Sequence, residues 1–215
     1  MTTNSLYEKQ SSIGVADYYQ LLSNPDKNFK YLKNFKGYQQ TTDYTCGAAV
    51  VMSLLNFYGK LSNAQLNHKT EMKIAKEMGT SKTHGANPEQ IAKWLKNNGF
   101  NVKYGTDGTL KMIKENIRKG TPVIVEWIDW GGHWAVACGY HKRFNAKKKR
   151  VDTIFLADPS AYWYAPDNPL EITSVSALRF KFMWFDVKHF NPGKLVENIY
   201  IIATPDKRQK NKERS

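Results

Sequence analysis

Two cysteines, five histidines and the carboxylates near them carry whatever covalent chemistry this 215-residue chain performs. Cys46 stands out by position. It follows the polar lead-in "QQTTDYT" and opens the apolar run "CGAAVVMSLLNFYG". A helix that begins there points its unpaired backbone N–H groups and its dipole at the sulfur, which favours thiolate over thiol. A small buried residue is the plain alternative for a lone Cys-Gly pair. A thiolate nucleophile needs a base, and the histidines differ in context. His68 lies in a polar helical stretch, and His84 and His189 lie in loop-like stretches, so no role is expected for these three. His133, in "WGGHWAVACGY", enters an apolar strand from a two-glycine turn, where backbone and substrate can approach closely.

Asp158, in "LADPS", closes the next strand and is the candidate to orient the imidazole. A symmetric hairpin centred between Asn145 and Ala146 would set His133 directly opposite Asp158, with Cβ atoms roughly 5 Å apart. An asymmetric loop or a bulge would break that register, and an ordinary Asp-Pro turn is the plain reading of Asp158. By strand alternation Cys138 faces away from His133, which makes it a core residue and not a disulfide partner. Acyl chemistry at Cys46 also requires oxyanion donors. The Cys46 backbone N–H is one by position, and Gln39 and Gln40 offer side-chain amides just upstream.

The elements that must position these groups change character midway. Residues 15–24 read as a short amphipathic helix, and the Cys46 helix runs to Tyr58, apolar nearly all round and therefore central. Ser62 and Gln65 form a capping box for a helix to Met78. Asn87, Pro88 and Gly99 bracket another, "FNVKYG" is a strand, and "TLKMIKENIRKG" is a helix stopped at Gly120. From there the hydrophobic period shifts from 3.6 to 2. Segments "TPVIVEWI", "HWAVACGY", "DTIFLADP" and "VENIYIIAT" read as strands, with residues 172–186 as one helix and a return. Helices first and strands second indicate an α+β domain with an antiparallel sheet.

These segments together resemble the bacteriocin-processing, double-glycine cysteine peptidase family, C39-like, which has a papain-like fold. The resemblance rests on Gln40 six positions before Cys46-Gly47, on "GGHWAVACGY", and on "LADPS", in the order Cys, His, Asp. It covers roughly residues 36–205 and implies that Cys46 is the nucleophile, His133 the general base and acid, Asp158 the orienter and Gln40 the oxyanion donor. Trp130, Gly132 and Trp134, around the histidine, are the expected substrate-binding residues. The implied function is a cysteine peptidase acting through a thioacyl-enzyme, with leader cleavage after Gly-Gly as one form. The expected organisation is an N-terminal extension over 1–35, the peptidase domain over 36–205 and a basic disordered tail over 206–215. Family members are often fused to membrane transporters, and this chain departs from them in having no membrane-spanning run.

Composition narrows the alternatives. No signal peptide is visible, and two cysteines suit a reducing compartment, so a cytoplasmic protein is expected. No Cys/His spacing suggests zinc and no glycine-rich loop suggests a nucleotide, so no cofactor or metal is expected. The formal charge is +13, and "KRFNAKKKR" carries six basic residues in nine. Such runs are more often solvated surface than a binding site. No aromatic-interleaved basic motif supports a dedicated nucleic-acid site, which leaves a weak anionic-surface contact through 142–150 and the tail. A peptide or protein is the expected substrate. A thiol acyl transferase or deamidase would use the same residues, and a peptide-binding or anionic-surface-binding module is the non-catalytic alternative.

Overall fold

The computed structural model describes residues 15–145, 148–160, 172–187 and 195–206, apart from the side chain of Trp130. Residues 1–14 of the expected extension and 207–215 of the expected tail fall outside this set. The helical half contains α1 (Tyr18–Ser23), α2 (Cys46–Phe57), α3 (His68–Met78), α4 (Pro88–Asn97) and α5 (Leu110–Arg118). Asp17, Asn67, Asn87 and Thr109 cap α1, α3, α4 and α5 with side-chain oxygens, each accepting from backbone N–H groups of the first turn. The Ser62–Gln65 capping box is present, but it opens only a 3-10 turn over Asn63–Gln65. Asn67 then restarts the chain as α3, so the helix expected from Ser62 to Met78 is two pieces.

The strands are β1 (Phe29–Tyr31), β2 (Phe100–Gly105), β3 (Val123–Trp127), β4 (His133–His141), β5 (Thr153–Ala157), β6 (Ile172–Ser176) and β9 (Tyr200–Pro205). They form one sheet in the order β2-β9-β3-β4-β5-β6, every pair antiparallel. A two-stranded pair, β7 (Phe185–Asp186) with β8 (Val196–Glu197), lies apart. Two expectations fail here. Residues 172–186 are a strand, then a short helix α6 (Ala177–Met183), then β7. The alternation of "ITSVS" was masked by the apolar residues that follow. The single strand expected over "VENIYIIAT" breaks at Asn198, which adopts φ 59° between β8 and β9.

β4 is the axis of the sheet, and all nine of its residues are buried. One edge pairs with β3 over 133–137 and with β1 over 139–141; the other pairs with β5. The β1 strand was not anticipated. Three residues carry too little period to read, and its place is set by the free edge that β3 leaves. Helix α2 packs on β4, with Cys46 to Leu55 all buried.

The β4–β5 register also differs from expectation. Val136 pairs with Ala157, but Gly139 pairs with Phe155, so the register shifts at Cys138. That bulge adds one residue to β4. Next to the loop Tyr140 pairs with Ile154 and His141 with Thr153, three positions off the symmetric hairpin, and the bulge restores only one of them, so His133 does not stand opposite Asp158. Its partner is Trp127 on β3.

Candidate active site

Cys46 is the first residue of α2, 7% exposed, with Thr45 as N-cap. Thr45 makes no side-chain capping bond. Its hydroxyl donates instead to Glu71 Oε1, in a short contact, and meets Thr42 Oγ1 at 2.7 Å. The cap hydroxyl is thus diverted from the helix end, whose first N–H groups remain aimed past Cys46. Glu71, on α3, is fully buried. It also accepts from the Tyr38 hydroxyl (3.0 Å), Thr41 N (3.0 Å) and Thr41 Oγ1 (2.7 Å). One carboxyl group therefore fixes the segment from Tyr38 to Thr45 that delivers the thiol.

Glu71 went unread in the sequence, although a signal exists. It shares the buried stripe of α3 with Ile74, Ala75 and Met78. An acid at a core position of an amphipathic helix is rarely tolerated without several donors.

His133 Nε2 lies 2.8 Å from Asp158 Oδ1, and both residues are 3% exposed. The contact survives the register shift by geometry. Continued from Val136–Ala157, the pairing sets Asp158 beside Ala135, so His133 is a diagonal neighbour on the same face, within reach of an imidazole. Ser160 N also donates to Asp158 Oδ1 at 2.8 Å, which locks the carboxylate in an Asx turn. Cys46 lies beside the ring, and Nδ1 is the nitrogen that the Asp158 bond leaves for it. Burial alone would lower the imidazole's pKa. The bond to Asp158 and its charge, with Cys46 beside the ring, outweigh it and push His133 up to about 10.

A cavity of about 190 Å³ opens beside Cys46, between the 82–86 turn and the β4 entrance. Gly132 and Trp134 line it with His84, Gly85 and Ala86. Gly132 has φ 108°, and a Cβ there would sit 2.8 Å from Asp186 Oδ1, so no other residue fits this wall. Trp134 is 1% exposed, and its Nε1 donates to Ala86 O at 2.8 Å, tying the two walls together.

The remaining expected residues fall as follows. Gln40 N and Gln39 Nε2 both donate to Pro159 O, clasping the lead-in of Cys46 to the turn of Asp158. Gln40 Nε2 donates to Thr42 O at 2.7 Å, and neither glutamine lines the cavity. The side chain of Trp130 and all of His189 lie outside the described residues. His84, expected to be idle, lines the cavity, and His68, also expected idle, meets Thr41 Oγ1 at 2.6 Å. Both cysteines are free; Cys138 is 1% exposed in the core at the bulge, and burial pushes its thiol up to about 12. The bulge removes the strict alternation from which its facing had been argued. Among the described residues no group of three or more His, Cys, Asp or Glu could hold a metal ion.

The model of the Peptidase_C39 like family matches residues 32–175. The chain matches no curated protein. Among solved structures it is similar to the peptidase domain of Streptococcus ComA, a bi-functional ABC transporter involved in quorum sensing. That likeness has a TM-score of 0.55 at 19% identity and covers 80% of this chain and 100% of the other. A Bacillus anthracis protein described as a C39-like peptidase has a TM-score of 0.55 at 13% identity, covering 82% of this chain and 97% of its own. At such identities the likeness carries the fold, an α+β peptidase fold of the papain-like kind. With the match over residues 32–175, the chain belongs to the Peptidase_C39 like family.

Proposed function

We propose that the protein is a cysteine peptidase using Cys46, His133 and Asp158. The observation that carries this reading is a single buried imidazole bonded to Asp158, with Cys46 beside it. Cys46 Sγ gives its proton to His133 Nδ1 and attacks the scissile carbonyl carbon, forming a C–S bond. The carbonyl oxygen takes the electron pair and is held by the Cys46 backbone N–H, at the helix end that Thr45 leaves uncapped, and by Gln40 Nε2 once that amide turns from Thr42 O into the cleft. As the intermediate collapses, the C–N bond breaks and His133 hands the proton to the leaving amine. Water, deprotonated by the same ring, then releases the acyl group. Asp158 holds Nε2–H and keeps the ring in the useful tautomer. The cavity holds only about 190 Å³ beside Cys46, with Tyr44 and Trp134 in its wall as well as Gly85, Ala86 and Gly132, which supports small residues at the cleavage point, as in a Gly-Gly leader.

Incubation with a peptide library and mass spectrometry of the products tests the reading. Wild type should yield defined cleavage products, richest after Gly-Gly, and Cys46→Ala none. Equal product patterns from both proteins would refute a thiol mechanism. Gln40→Ala should lose ~100- to 1000-fold in kcat with KM little changed. If Gln39→Ala shows that loss instead, the donor is the neighbouring amide.

A further inference from the structure

Away from Cys46, a second and larger cavity of about 560 Å³ lies at the far end of β4. His133 begins that strand and Lys142 follows its last residue, so the two cavities stand about 30 Å apart at ~3.3 Å per residue. Five cations line the second cavity: Lys111, Lys114 and Arg118 from α5, with Lys142 and Arg150 from the two ends of the basic loop. Among the described residues Asp152 is the one acid facing them.

The arrangement is built. Lys114 occupies a core position of α5 beside Ile113 and Ile117, and it is only 8% exposed. Its Nζ donates to Asp152 in a short contact, and Arg150 reaches the same carboxylate at 2.7 Å. Burial works against charge on Asp152, but the bonds from Arg150 and Lys114 hold its carboxyl below the usual range. Asp152 is thus committed to positioning two cations. Lys114 and Lys142 also sit over the Tyr140 ring, at 5.8 and 6.0 Å, which places their charges without neutralising them. Arg118 bonds only the Lys114 carbonyl, through Nε at 3.3 Å, and its other nitrogens are not engaged among the described residues. Leu110, Val151 and Ala177 supply apolar wall.

We propose that this cavity binds a phosphorylated small molecule, separately from the catalytic cleft. One carboxylate leaves the lining strongly positive, so a single-charged ligand would be under-matched, whereas a phosphate ester or diphosphate brings two or more negative charges. Guanidinium and ammonium groups together are the usual recognition set for phosphoryl oxygens. The volume lies within the ~300–1,000 Å³ of small-molecule sites, and the apolar wall suits an organic body attached to the phosphate.

Calorimetric titration of the full chain with inorganic pyrophosphate tests this. Saturable binding near one site per chain is expected, weakened at least tenfold in Arg118→Ala/Lys142→Ala. The control Lys69→Ala/Lys93→Ala, which removes the same charge from exposed helix positions, should bind as wild type. Peptide cleavage should be unchanged in both. Lys142→Gln alone, at a loop position, keeps the test valid if the double variant does not fold, with several-fold weakening expected. Absence of saturable binding, equal weakening in the control, or an unaffected Lys142→Gln would overturn the proposal. So would the pair of results in which phosphatidic acid vesicles bind through Arg118 and Lys142 while free pyrophosphate neither binds nor competes, since the ligand would then be a membrane surface.

Discussion

His133 concentrates the chemistry because its buried ring is bonded to Asp158 on one side and stands beside Cys46. Its pKa, ordinarily 6.5, rises to about 10 in the folded chain. Below the ordinary value the ring is protonated folded and unfolded, and its contribution to stability is complete. Between the two values only the folded ring keeps its proton, so stability falls as pH rises and the contribution is gone above about 10. Thermal melts of wild type should therefore decline from pH 6.5 to 8.5 more steeply than those of Asp158→Asn, which lacks the bond and charge that raise the ring. Parallel curves would remove Asp158 as the cause. The same variant should also lose turnover strongly while still folding. The two thiols should separate in reactivity. Cys138, held up near 12 by burial, is inert at neutral pH, whereas Cys46 sits at a helix start beside the imidazole. Iodoacetamide should label Cys46 first and abolish cleavage; first labelling of Cys138 would contradict this.

At the scale of elements, what matters is how loops and strand ends are held to one another. Thr45 gives its hydroxyl to Glu71 and not to α2, so the lead-in segment is secured from α3 while the helix end stays open. Truncating Glu71 to Ala would orphan the buried Thr45 hydroxyl and release Tyr38 and the exposed Thr41 from their acceptor. One buried orphan costs ~1–3 kcal/mol, so a loss of about that size is expected in urea denaturation. Cleavage should fall even at temperatures where the variant is folded, because the thiol loses its fixed approach. A variant that melts like wild type would show that the cradle is incidental. The bulge at Cys138 is the corresponding device in the sheet. It shifts β5 along β4 and makes the His133–Asp158 contact diagonal.

For the whole molecule, residues 15–35 belong to the same core as the catalytic elements. Tyr18, Phe29, Leu32 and Phe35 are at most 4% exposed, and β1 covers the β4 edge that β3 leaves. Removing four such side chains forfeits ~1.5–3 kcal/mol each, comparable with the ~5–15 kcal/mol that holds a domain folded. A chain beginning at residue 36 should lose its cooperative melt. A melt within a few degrees of full length would make the segment an accessory. Among the described residues no helix is long and apolar enough to cross a membrane.

Local features were legible in the sequence because they need only neighbours along the chain. The helix opening at Cys46, the cap at Asn87, the change of period near Thr121 and the order Cys, His, Asp are of this kind. The tertiary structure alone decided the rest. A bulge at Cys138 depends on how β4 meets β5. Residues too few to show a period became β1 because an edge was free. Glu71 and Lys114 each occupy a helix core stripe, where their partners come from 26 to 38 residues away. Side chains like these are tolerated only once distant donors and acceptors have been folded around them, and sequence spacing carries no record of that convergence.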